Sequence, residues 1–214
     1  MADNPIENFA ENTTPNNADV YAIVDDPSGS PATQKITHRN LQQVVLTKDD
    51  WIYPHDMIPF VTDGASLGAV RDLGTNVALR TMDFADAADD SISFVWHPPE
   101  EWDALTVTFA LVWTNQSGMA AEVIDFDLSG RSYADSDALN QAPGSAQIAA
   151  DTFTAQDDYQ KTAFSPAITL AGTPLNGQAN IFKLTMDTTT STLTGNCEII
   201  ALILRYGTVN QGST

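Results

Sequence analysis

The chain has 214 residues, with 28 acidic against 9 basic side chains and a formal net charge of −19. That balance repels phosphate backbones and anionic lipid, so nucleic acid and membrane surfaces are poor partners. Hydrophobic residues make up 43% of the chain, enough for a core without metal or disulfide support, and the single cysteine, Cys197, cannot form an internal disulfide.

The opening MADNPIENFAENTT has neither a basic nor an apolar segment, so no secretory signal is expected, and no apolar run reaches bilayer-spanning length. Residues 1–17 are polar and read as a flexible arm. Residues 18–46 form a second segment. ADVYAIVDD is a strand signal, DPSGSP is a turn, and ATQKITHRNLQQVVL runs from a short strand at Lys35 to Thr37 into a helix over Arg39 to Leu46. This hairpin-plus-helix is too small to be stable alone, so it packs either on its own chain or on a partner.

From Asp50 to Thr208 strand signals repeat at turn-separated intervals. Leu105, Val107, Phe109, Leu111 and Trp113 alternate with smaller residues, as do Ile92, Phe94 and Trp96, and Ile124, Phe126 and Leu128. With Ala78 to Phe84, Ala146 to Thr154, Tyr159 to Leu170, Gln178 to Met186 and Cys197 to Tyr206, about eight strands are predicted. The fold class is all-β, a β-sandwich or jelly roll, with a long loop over Ser132 to Gln147, a helical turn at Ser136 to Asn140, and a short tail over 209–214.

The last strand is apolar on both sides: Cys197, Ile199, Ala201 and Ile203 alternate with Ile200, Leu202, Leu204 and Tyr206, and only Glu198 interrupts. A two-layer sandwich covers one face of such a strand. The other cover is either a loop of the same chain or the same strand of a neighbouring subunit. The neighbour is favoured, which makes Ile199, Ile200, Leu202, Leu204 and Tyr206 the candidate self-association residues.

Signals for chemistry are sparse. His38, His55 and His97 have no metal-ligand spacing, and no nucleotide-binding or serine-hydrolase motif occurs. Cys197 lies in an apolar strand as a small core residue, and catalysis is not expected. Calcium is the best cofactor candidate, at Asp86, Asp89 and Asp90 of DFADAADD; the competing and favoured reading is an acidic solvated turn with no cofactor. Trp51, Tyr53, Trp96, Trp102 and Trp113 could make a sugar platform; Trp96 and Trp113 fall on apolar strand faces, which leaves Trp102 as the expected exposed glycan contact.

Residues 18–41 resemble a short N-terminal unit of bacteriophage fibre, spike and appendage proteins at Asp19, Ile23, Val24, Asp25, Gly29, Lys35, Ile36, Thr37, Asn40 and Leu41. DAADDSISFVWHPPEEWD, VTFALVWTNQSG and GNCEIIALILRYG resemble a β-rich domain of phage virion proteins. The resemblance implies a structural, non-enzymatic protein on the exterior of a virion, often a homotrimer, made in the host cytoplasm. It would be a capsid decoration, head spike or tail-fibre-like protein, attached to other virion proteins through Val20, Ile23, Val24, Ile36 and Leu41. A tail-fibre or receptor-binding protein that grips a host glycan is the alternative.

Overall fold

The structure, a computed structural model, describes residues 20–24, 33–37, 46–73 and 76–208. Strands β1 (Val20–Val24) and β2 (Thr33–Thr37) form an antiparallel hairpin, with Val20 opposite Thr37 and Val24 opposite Thr33. Val20, Ile23 and Val24 therefore lie on one strand and Ile36 on its partner. Leu41, the arm, the tail and the expected helix up to residue 45 lie outside the described residues. Leu46, the last residue of that expected helix, opens a strand instead.

Residues Leu46–Thr208 form a separate compact unit. Its strands are β3 (Leu46–Ile52), β4 (Ile58–Pro59), β5 (Ser66–Leu67), β6 (Arg71–Asp72), β7 (Ala78–Leu79), β8 (Met82–Phe84) and β9 (Ser91–Trp96). They continue with β10 (Trp102–Thr114), β11 (Val123–Tyr133), β12 (Gln147–Thr152), β13 (Gln160–Lys161), β14 (Ile168–Thr169), β15 (Ala179–Met186) and β16 (Cys197–Thr208). The unit begins at Leu46 rather than Asp50 because β3 pairs with β16 from Leu46 opposite Thr208 to Ile52 opposite Leu202. The expected helical turn at 136–140 is absent; Asp137 closes a tight turn by donating its N–H to Ala134 and accepting from the Ala134 N–H.

The strands make a β-sandwich. One sheet runs β13-β10-β16-β8-β5, with β14 also on β10 and β3 also on β16; the other runs β12-β11-β15-β9-β4. Their inner faces meet through Phe84 and Phe126 (ring centroids 5.0 Å apart) and through Trp96, which packs on Trp102 at 5.2 Å and on Tyr206 at 5.4 Å. Most outermost strands are short: β4, β5, β13 and β14 have two residues each, while β12 has six and β3 seven.

Two bulges reset the side-chain alternation, and each overturns an expectation. On β10 the pairing with β16 slips between Trp102 and Val107, where Ala104 takes a positive φ of 55°. The slip turns Leu105 outward, 64% exposed, and swings Trp102 inward, 1% exposed. Trp102 is therefore a core residue and not an exposed glycan contact.

The second slip faces Val112 and Trp113 across Ala201 and Ile199. It leaves Cys197 and Ile199 on the same inner face as Leu202, Leu204 and Tyr206, all in the main core. The outer face of β16 is then reduced to Ala201 and Ile203, which pack with Val112, Phe164 and the half-buried Ile200. The cover is the chain's own segment 160–166. Its Thr162 and Ser165 hydroxyls accept the Leu111 and Phe109 N–H groups while their own N–H groups donate to the Leu111 and Phe109 carbonyls, continuing the ladder partly by side chain, and the Arg205 guanidinium stacks 3.7 Å from the Phe164 ring centre.

Ala201, Ile203 and Val112 are at most 1% exposed in the single chain. A neighbouring subunit is not needed to cover β16, and Ile199, Leu202, Leu204 and Tyr206 offer no surface for self-association. Phe164→Ala should lower stability by about 1–3 kcal/mol, less than a fully buried Phe, and should promote association through the uncovered Ile203. Denaturant midpoints and sedimentation against the wild type test both effects; an unchanged midpoint would show that the cover lies elsewhere.

Candidate functional site

The acidic candidates do not converge. Asp86 accepts the Gly195 N–H at 2.7 Å, Asp89 accepts the Thr188 N–H and hydroxyl, and Asp90 accepts the Ala85 N–H at 2.8 Å. Each carboxylate ties a different stretch of backbone, and no group of three potential metal-ligating side chains occurs among the described residues. The Thr188 hydrogen bonds hold Asp89 below the ordinary carboxylate range. Trp96 and Trp113 point inward and spend their indole N–H groups on Asp50 and Asp151. Trp51 and Tyr53 are exposed, 44% and 46%, and Tyr53 stacks on His55.

A partly buried ion cluster gathers at the start of β16. Arg71 pairs with both Glu198 and Asp157, and Gln116 donates to Glu198, so the one carboxylate in the closing strand is fully engaged. Asn115, fully buried, spends its amide on Thr194 and Asn196 carbonyls and on the Ser117 and Gly118 N–H groups. Both clusters are structural ties between loops.

The most site-like feature lies on the outer face of the five-stranded sheet. Arg131 on β11 sits opposite Ile181 on β15, and Lys183, two residues on, sits between Ser129 and Ser93 of the flanking strands. These outward positions floor a cleft of about 280 Å³. Phe60, just past β4, forms one wall, and the loop from Leu139 to Pro143 forms the other.

The loop wall is held down at several points. The Tyr133 hydroxyl donates to the Leu139 carbonyl at 2.7 Å, Arg131 donates to the Ala142 carbonyl at 3.0 Å, and the Gly144 N–H donates to Gly130. Glycine at 144 permits this approach, because a Cβ there would stand 2.4 Å from the Thr169 carbonyl oxygen. On the opposite wall the Phe60 N–H donates to Ser91. Lys183 Nζ lies 5.3 Å from the Phe60 ring centre, and the Arg131 guanidinium 5.7 Å from that of Tyr133. Asn140 and Gln141 add amides to the rim. Aromatic rings, two cations and amides around one concavity are the makings of a small-ligand site.

None of these lining residues was a sequence candidate. The signal was present as GRSY and NIFKL: Arg131 and Tyr133, and Ile181 and Lys183, are each two apart and so share a strand face. What joins them is the pairing of β11 with β15, which neither segment carries by itself.

No protein-family pattern matches the sequence, and no curated protein does. Among solved structures the chain is similar to the CBM35 from Cellvibrio japonicus Abf62, with TM-score 0.36, 10% identity, and 72% of this chain and 92% of that chain covered. It is also similar to a candidate glycoside hydrolase from Bacteroides thetaiotaomicron, with TM-score 0.30, 10% identity, and 94% of this chain and 71% of that chain covered.

Two local charge states are testable. Burial and the neighbouring Glu198 push the Cys197 thiol well above its ordinary value. A thiol reagent at neutral pH should leave Cys197 unmodified in the native protein and modify it fully in denaturant, as read by mass spectrometry. Asp127 is raised by burial, with Asp125 and Asp187 adding repulsion. A raised carboxyl opposes folding while it is charged, so Asp127→Asn should raise the melting temperature at pH 7. That gain should shrink as the pH falls through the carboxylate range, where wild-type Asp127 is already neutral.

Proposed function

We propose that the chain is a non-enzymatic display protein of a virion exterior, in which the N-terminal segment attaches and the sandwich projects. The observation that supports this reading is the division into two units: a short hairpin carrying Val20, Ile23, Val24 and Ile36, and a sandwich, Leu46–Thr208, that seals its own core. A body that needs no neighbour to hide its apolar strands can be carried on a short attachment element as an independent load. A homotrimer, as the resemblance implies, would have to use a surface other than β16.

A second reading, recognition of a host glycan by a tail-fibre or receptor-binding protein, is favoured by one observation: the cleft between Phe60 and the Leu139–Pro143 loop. Trp102 no longer supports it. The two readings are compatible, since a displayed body can carry a binding cleft.

Removal of residues 1–45 tests the attachment role. The remaining sandwich should melt cooperatively within a few degrees of the full chain, and its co-sedimentation with virions lacking the protein should be lost. Retention of virion binding by the isolated sandwich would overturn the assignment of attachment to the N-terminal segment.

A further inference from the structure

Acidic side chains outnumber basic ones 28 to 9 in this chain, yet the cleft on the five-stranded sheet reverses that balance. Its lining contains Arg131 and Lys183 and no carboxylate. Elsewhere Lys48, Arg71 and Arg205 are consumed in ion pairs with Glu101, with Asp157 and Glu198, and with Asp49. Among the described residues, no ion pair engages Arg131 or Lys183; each lies over an aromatic ring instead. A cation held on a ring face keeps its charge available to an anion arriving from solvent.

We propose that this cleft binds a sugar bearing a carboxylate, such as a hexuronate. The inference rests on the recognition reading above and names its ligand class. Arg131 and Lys183 are diagonal neighbours across the β11–β15 pair, with backbones about 7–8 Å apart, a spacing that long side chains close around one carboxylate. Phe60 and Ile181 supply apolar surface for a pyranose ring face, and Asn140 and Gln141 supply amides for its hydroxyls.

The shape selects a sugar over an acidic peptide. The floor residues Arg131, Ile181, Lys183 and Ser93 all sit in register pairs within the sheet, Ser93 between Lys183 and Ile58, so no edge is open at the floor for a peptide strand to add to. The volume of about 280 Å³ between two walls suits a single ring.

The test is titration of the full chain, by calorimetry and by NMR, with D-glucuronate, D-galacturonate and N-acetylneuraminate. D-glucose, D-galactose and a Glu-rich peptide are the controls. At least one acidic sugar should bind about tenfold or more tightly than the neutral sugars, and its affinity should fall about tenfold in Lys183→Gln. Phe60→Ala should also weaken it, and both side chains are exposed, so the melting temperature should hold. Equal binding of D-glucose and D-glucuronate would overturn the acidic class and leave glycan recognition standing. Binding of the Glu-rich peptide as tight as the sugars would overturn the sugar. An affinity unchanged in Lys183→Gln would overturn the site. Binding of no saccharide would overturn both this inference and the recognition reading, while the display reading depends only on the virion experiment.

Discussion

The architecture depends on how one strand hides two oily faces. β16 is the central strand of its sheet, flanked by β10 on one side and by β3 and β8 on the other. Its inner face meets the second sheet, and burial there is the ordinary consequence of a sandwich. Its outer face would be a liability, and the chain answers by narrowing and covering it. A bulge moves Cys197 and Ile199 inward, and Phe164 lies over what remains under the Arg205 guanidinium. Arg205 is itself held by a two-pronged bond to Asp49 of β3, so a single residue links the cover, the closing strand and the strand that opens the domain.

The abundance of carboxylates has a local structural use. Asp56, Asp86, Asp89, Asp90, Glu122, Asp137 and Asp187 all accept backbone N–H groups in turns. Hydrogen bonds from Met119, Thr194 and Thr189 hold Glu122 and Asp187 below the ordinary carboxylate range. A sandwich with many loops has many orphan donors, and short acidic side chains satisfy them cheaply. The same residues that read as a calcium cluster in sequence are, in three dimensions, separate clasps.

The period-two pattern is enough for fold class and for most of the longer strands, because Phe94, Phe109 and Phe126 recur with other large apolar residues at every second position in segments long enough to read. It fails where the period breaks. Ala104 has no sequence mark of a positive φ, so the alternation places Leu105 inward, and Trp102 falls before the expected strand, where nothing marks it as buried. The slip opposite Val112 likewise merged two half-faces of β16 into what looked like one surplus face. The cover was equally hidden: Phe164 lies more than 30 residues before the strand it protects, and distance along the chain carries no information about which loop lands where. The cleft was invisible for the same reason, being assembled from β11, β15, β9, the residue after β4 and a loop.

The brevity of most outermost strands has a consequence for life at high local density. A long bare margin invites the matching margin of another molecule to zip onto it. Margins two residues long at β4, β5, β13 and β14 leave little length for such templating; the longer margin of β3 carries Lys48, Asp49 and Asp50, that of β12 carries Asp151, and net negative charge adds mutual repulsion. Molecules of this kind can stand shoulder to shoulder without fusing into a continuous ribbon.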